Sequence, residues 1–199
     1  MPHIDYYFAT ISPYTYIAGV GLEEIAAKHG ATITYKPFDI MGVFGQTGGT
    51  PPGQRHISRQ EYRLIDMDRQ ARKAKLDFNQ KPAHWPTNPA PSSYAIIAAQ
   101  ATGAGDIGGL VHGLTRACWA EEKDIAQNDV IRSVLEANGF DPDLADADML
   151  SGAETYSANT EAAVKAGVFG APFYITDADQ RFWGQDRLED LDLTLAGKL

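Results

Sequence analysis

The chain has 199 residues, 44% of them hydrophobic, and 17 Lys+Arg against 26 Asp+Glu give a formal net charge of -9. This length and composition suit one domain, or one domain with a large insertion, and exclude disorder as the main state. The charge argues against nucleic acid and anionic membranes as partners, and the lone Cys118 excludes an intramolecular disulfide.

The first forty residues predict a β-strand, a helix and a second strand. Residues 3–9 are short and rich in aromatics, as in a buried strand. Ser12 suits an N-cap and Pro13 the first helical position, and apolar residues then follow at a helical period up to residues 29–30. Residues 31–38 alternate and contain β-branched side chains. We therefore expect a parallel, right-handed βαβ unit.

The middle of the chain predicts helices alone. Residues 42–53 are rich in Gly and Pro and indicate a loop. The periodic segments that follow are predicted as helices over residues 58–76, 92–102, 106–121, 127–138 and 155–166, with no strand between 54 and 167.

Strand character returns at the end, over residues 172–176 and 180–183, with a turn at 177–179 and a last helix from about Arg187. The prediction is an α/β fold in which residues 1–42 and 160–199 form one domain and residues 43–159 form an inserted α-helical domain.

Two local features bear on chemistry. The Ser12 hydroxyl would lie beside the unpaired N–H groups at the start of the first helix, where an anion such as a thiolate is stabilised, although Ser12 can equally serve as a cap alone. Pro172 stands at the first residue of a strand, and a cis Ala171-Pro172 bond would leave the Ala171 N–H and C=O for a peptide-like ligand.

The order of these features resembles the DsbA-like branch of the thioredoxin superfamily, in which the redox members carry C-x-x-C where this chain has Ser12-Pro13-Tyr14-Thr15. Without a thiol at these positions, dithiol–disulfide exchange is not available. The closer resemblance is to 2-hydroxychromene-2-carboxylate isomerases and the related kappa-class glutathione transferases. It rests on FATISPYTYIA, TGGTPP, WPTNPAP, ACWAEEKDI, GVFGAPFYI and FWGQDRLEDL.

The resemblance implies a glutathione site. It matches Ser12 to the serine that hydrogen-bonds the glutathione sulfur, and Ala171 and Pro172 to the cis-proline site for the cysteinyl backbone. Gln185 and Asp186 match the segment that holds the γ-glutamyl end, with helix capping near Arg187 as the alternative for Asp186.

The carboxylate end departs from the family pattern. Relatives tend to carry Asn before the two prolines of the loop and Lys near the next helix, where this chain has Gly49 and Arg59. Arg59 can bind the glycyl carboxylate through its guanidinium fork. Seven basic residues fall between 55 and 75, which permits an anion-attracting edge, or a solvated helix face for those other than Arg59.

The substrate side is matched through WPTNPAP, so Trp85 and Asn88 are expected to line the aromatic-acid pocket, with Phe44 and Trp183 completing the cleft unless they belong to the core. The five histidines lack metal-ligand spacing, and we expect no metal. Cys118 lies in an apolar-periodic run and is expected to be packing, since free Cys is often buried.

The expected function is glutathione-dependent cis–trans isomerisation of 2-hydroxychromene-2-carboxylate or a related aromatic keto acid. A kappa-like transferase that retains the glutathione adduct, and a non-catalytic DsbA-like thiol- or peptide-binding protein, stay open as alternatives. The resemblance also implies a homodimer. A cytoplasmic protein is expected, because the N-terminus lacks a basic-then-apolar leader and no run of about 18 apolar residues occurs.

Overall fold

A mixed β-sheet joins the two ends of the chain in the computed structural model, which describes residues 1–146 and 149–199. Its strands are β1 His3–Phe8, β2 Thr32–Pro37, β3 Phe173–Thr176 and β4 Arg181–Trp183, in the order β2-β1-β3-β4. Strand β1 runs parallel to β2 and antiparallel to β3, and β4 is antiparallel to β3. The four predicted strands and the parallel first pair are confirmed.

Helices surround this sheet. In the described residues they are α1 Pro13–Ala18, α2 Gly21–His29, α3 Ile40–Thr47, α4 Ile57–Lys73, α5 Ala90–Thr102, α6 Ile107–Trp119, α7 Asn128–Ala137, α8 Met149–Lys165 and α9 Leu188–Leu195. Among them, none is both long and apolar enough to cross a membrane. Within the described part of residues 54–167 there is no strand, as predicted.

The alternation of side chains along β1 creates two core layers. Ile4, Tyr6 and Phe8 point to one face and join a cluster with residues of α5 and α6. Tyr7 and Ala9 point to the other face and pack with residues of α3 and α8. A strand buried on both faces needs apolar residues at nearly every position, and this explains the aromatic run. The predicted limits at residues 42/43 and 159/160, which fall inside α3 and α8, stay a prediction.

Three predictions about the helices differ from the structure. The helix predicted from Pro13 to His29 is divided, because Gly19 adopts φ 60° and ends α1 after six residues. The loop predicted over residues 42–53 begins as a helix: Asp39 caps α3 through a 3.0 Å hydrogen bond from the Met41 N–H. Ile40, Val43 and Phe44 bury one face of α3, which outweighs the helix-weakening glycines. Helix α8 also starts six residues earlier than predicted.

This topology brings four segments to one edge of the sheet. The chain leaves the carboxyl end of β1 into α1, and the segment before β3 arrives at the same edge because β3 is antiparallel to β1. Helix α3 follows β2, the parallel neighbour of β1, and α4 packs against α1.

Candidate active site

A cavity of about 300 Å³ opens between the start of α1, helix α3, the first turns of α4 and the segment before β3. This is the lower end of the range for small-molecule sites. Six of the predicted site residues line it: Ser12, Phe44, Arg59, Trp85, Ala171 and Trp183.

Ser12 lies at the N-cap of α1, as the sequence predicts. Its hydroxyl oxygen accepts a hydrogen bond of 3.3 Å from the Thr15 N–H and donates one of 3.3 Å to the carbonyl of Ala171. Both bonds are long, so the hydroxyl can turn toward another acceptor at small cost. Because α1 has only six residues, its dipole field is weak, and an anion bound at this position would be stabilised mainly by the hydroxyl.

The peptide bond between Ala171 and Pro172 is cis, as the sequence argument anticipates. Among the described residues the Ala171 N–H has no hydrogen-bond acceptor, so it is available to a ligand. The Ala171 carbonyl accepts the Ser12 hydroxyl and keeps a second lone pair, so its pairing with a ligand stays a prediction. This hydrogen bond therefore joins Ser12 to the cis-proline segment, which lies 159 residues further along the chain.

Trp85 forms a wall of the cavity and is fixed to the segment that carries Ser12. Its indole N–H donates to the carbonyl of Ile11 at 3.2 Å, and its ring packs against Trp119 at a centroid distance of 5.6 Å. The Trp85-Pro86 bond is also cis. An indole held by both its polar and its apolar edges is a rigid surface for an aromatic ligand.

Phe44 and Trp183 supply further apolar surface. Phe44 is buried on α3. Trp183 is 53% exposed and packs edge to face on Phe169, with a distance of 4.9 Å between the ring centres. The presence of Gly49, where relatives tend to carry Asn, has a steric explanation. A Cβ at this position would lie 3.0 Å from Cγ and 3.1 Å from Cα of Phe44. The close approach of Phe44 thus requires the absence of a side chain at position 49.

Three arginines form the charged wall: Arg59, which the sequence predicts, and Arg55 and Arg63, which it does not. Arg55 lies with its guanidinium carbon 5.9 Å from the Phe44 ring centre and donates from Nε to the Thr50 carbonyl at 2.8 Å. Arg63 lies 6.0 Å from the Trp85 ring centre. Burial is the main reason that the pKa of both Arg55 and Arg63 falls, although an arginine remains protonated at neutral pH.

The cavity arginines have no anionic partner among the described residues. Elsewhere the arginines that form ion pairs are Arg72, Arg116, Arg132, Arg181 and Arg187. The four-residue spacing of Arg55, Arg59 and Arg63 could have indicated in the sequence that they act together. Positions 59 and 63 share one face of a helix, and position 55 closely precedes that helix.

Tyr14 is a further lining residue that the sequence analysis did not assign. Its hydroxyl donates to Asp66 at 3.0 Å, and burial, with this hydrogen bond next in importance, raises the pKa of the phenol well above its usual value. Tyr14 is therefore neutral at physiological pH and serves as a hydrogen-bonding wall of the cavity.

Four predicted residues do not line the cavity. Pro172 is buried, and its carbonyl accepts from the Gly184 N–H at 2.9 Å, so Gln185 and Asp186 follow directly after a residue bonded to the cis-proline segment. Asp186 forms an ion pair of 3.6 Å with Arg187. Asn88 is exposed, and its amide oxygen accepts from the Ala90 N–H at 3.1 Å, so it serves the start of α5.

Cys118 lies outside this site, on α6. Its side chain is fully buried, and burial raises the pKa of the thiol to about 12, with the charge of Asp124 adding to the effect. Such a thiol carries almost no thiolate at neutral pH and acts as apolar packing.

Comparison with known proteins agrees with this architecture. The family model of the DSBA-like thioredoxin domain matches residues 3–196. A 2-hydroxychromene-2-carboxylate isomerase from Sphingobium xenophagum is 32% identical over 193 residues, covering 95% of each chain. A glutathione S-transferase kappa 1 from Caenorhabditis elegans is 36% identical over 73 residues, 36% of this chain and 32% of that protein. A solved 2-hydroxychromene-2-carboxylate isomerase superposes with a TM-score of 0.77 at 25% identity, covering 98% of this chain and 95% of the other.

Proposed function

Since the chain belongs to the 2-hydroxychromene-2-carboxylate isomerase family of DsbA-like thioredoxin domains, we propose that it is a glutathione-dependent isomerase. The proposed reaction converts 2-hydroxychromene-2-carboxylate, or a related aromatic 2-oxo acid, into trans-o-hydroxybenzylidenepyruvate or its analogue. The observation that carries the proposal is the pairing of the Ser12 hydroxyl with the cis Ala171 backbone inside an aromatic cavity.

The donor set fits a tripeptide thiol. The Ser12 hydroxyl can donate to a sulfur, the Ala171 N–H is without an acceptor among the described residues, and Arg59 has no counterion there. Gln185 and Asp186 adjoin Pro172 through Gly184, and Asp186 would exchange Arg187 for the ammonium of the γ-glutamyl end.

Bound glutathione would supply a nucleophilic thiolate for reversible addition to the conjugated alkene of the ring-opened acid, so that no glutathione is consumed. The chain itself would favour the thiolate through the Ser12 hydroxyl, because a charge-assisted hydrogen bond is stronger than a neutral one. Trp85 and Phe44 would orient the aromatic ring against the sulfur, which contributes through proximity. We further propose that the protein is a cytoplasmic homodimer, as the family resemblance implies.

The test is an ultraviolet assay of 2-hydroxychromene-2-carboxylate conversion with and without glutathione. We expect conversion that requires glutathione without consuming it, and a loss of about 10- to 100-fold in Ser12→Ala, the range expected for one hydrogen bond to a charged group. Ser133→Ala removes an exposed hydroxyl on α7 and should leave the rate unchanged. Net consumption of glutathione would instead favour the transferase, and absence of conversion with intact glutathione binding would refute the assignment.

A further inference from the structure

The cavity holds more positive charge than one ligand carboxylate requires. Arg59 and Arg63 are one helical turn apart on α4, and Arg55 precedes that helix by two residues. The proposed function uses Arg59 for the glycyl carboxylate of glutathione. Arg55 and Arg63 are the less exposed members of the set, and they have no assigned role.

Arg63 adjoins Trp85, the cavity wall that is hydrogen-bonded to the residue before Ser12. Its guanidinium carbon is 6.0 Å from the centre of the Trp85 ring, and Trp85 is hydrogen-bonded to Ile11, the residue before Ser12. Arg55 borders another aromatic wall, 5.9 Å from the ring of Phe44. The two guanidinium groups thus adjoin the surfaces expected to hold the aromatic substrate.

Arg63 forms no ion pair with any described residue. The acidic residue one turn further along the helix, Asp66, already accepts the Tyr14 hydroxyl at 3.0 Å and the Gln70 amide at 3.4 Å. Burial and the neighbouring charge of Arg55 lower the pKa of Arg63, with Tyr14 opposing them. A half-buried cation without a counterion costs free energy that an incoming anion can recover.

We propose that Arg63, together with Arg55, binds the carboxylate of the aromatic acid, so that the site selects anionic 2-oxo acids over neutral electrophiles. The proposal rests on the proposed function for the identity of that acid. A guanidinium fork can engage a carboxylate in a bidentate manner, which would also fix the direction of the alkene relative to the sulfur.

The test measures binding without turnover, using the full chain and isothermal titration calorimetry. The probes are 4-phenyl-2-oxobutanoate, which has no alkene to react, and its methyl ester, each titrated without glutathione; glutathione is titrated separately. The variants are Arg63→Met, Arg63→Lys and the matched control Arg69→Met, which removes the same charge from an exposed position of α4 outside the cavity.

We expect the wild type to bind the acid about 10- to 100-fold more tightly than the ester, the range for hydrogen bonds to a charged group. Arg63→Met should abolish that preference and keep its glutathione affinity, Arg63→Lys should keep part of it, and Arg69→Met should behave as wild type. Equal binding of acid and ester by the wild type, or a preference that survives in Arg63→Met, would overturn the proposal. An Arg63-dependent preference in a protein that shows no isomerisation would support this site and refute the proposed reaction, which separates the two failures.

Discussion

Adding one methyl group at Gly49 should destabilise the protein, although Gly→Ala is usually harmless in a loop. The new Cβ would overlap Cδ1 of Phe44 and lie 3.0 Å from its Cγ and 3.1 Å from its Cα, which belongs to the backbone of α3. Overpacking costs about 1–3 kcal/mol, and the reduced freedom of the unfolded chain returns about 0.4–1 kcal/mol. We expect a net loss of about 1–2 kcal/mol in the free energy of unfolding, or about 2–8 °C in Tm.

Chemical and thermal denaturation of Gly49→Ala and Gly45→Ala provide the measurement. Gly45 lies in α3, and a Cβ added there would meet nothing within 4 Å, so Gly45→Ala should stabilise the protein by about 0.5–1 kcal/mol. In a double-mutant cycle, Phe44→Ala, which removes Cγ and the ring but keeps Cα, should remove part of the cost at position 49. If Gly49→Ala is as stable as wild type, or if its cost is independent of Phe44, the steric explanation for the family departure is refuted.

Three other results are expected. Burial raises the pKa of the Glu23 carboxyl, which accepts the Tyr35 hydroxyl at 2.8 Å; a raised folded pKa contributes stability below the unfolded pKa and loses it as pH rises through the folded one. Between about pH 4 and 7, the free energy of unfolding of the wild type should therefore fall relative to that of Glu23→Gln as pH increases. A difference between the two free energies that does not change with pH would contradict this. Cys118 should resist thiol reagents in the native state and react after unfolding, whereas rapid native labelling would show that the thiol is accessible. Trp85→Phe removes the hydrogen bond to Ile11 and should lower kcat about 10-fold through misplacement, with a stability loss of about 1 kcal/mol, and an unchanged kcat would show that this anchor is not needed.

The sheet could be predicted because its strands carry strong local signals. The aromatic run of β1 and the proline that opens β3 restrict the backbone without help from distant contacts. Helix α3 was missed because Gly and Pro suggested a loop, whereas burial of Val43 and Phe44 against α8 and the sheet determines the outcome. That packing is a tertiary effect and is not visible in a local window.

The sequence predicts a site residue well when local backbone structure determines its place, and less well when the packing of distant elements determines it. The N-cap position of Ser12 follows from local cap chemistry, whereas the cis bond before Pro172 was expected from the family resemblance. Arg55 and Arg63 look like part of a solvated basic helix in the sequence. Only the fold shows that they face the cavity, since α4 could present any face to α1.

The net charge of -9 affects large anionic partners, whereas the basic wall of the cavity affects small anions that enter it. At physiological salt the Debye length is about 8 Å, so acidic groups elsewhere on the surface are largely screened from a small anion inside the cavity. A half-buried guanidinium acts over a few ångströms in a medium of lower dielectric constant, where its attraction is several times stronger than in water. A polyanion or a membrane, which must approach a wide surface, meets the net charge instead. The acidic composition is therefore compatible with the proposed selection of a small carboxylate, because that selection would depend on the local placement of Arg55, Arg59 and Arg63.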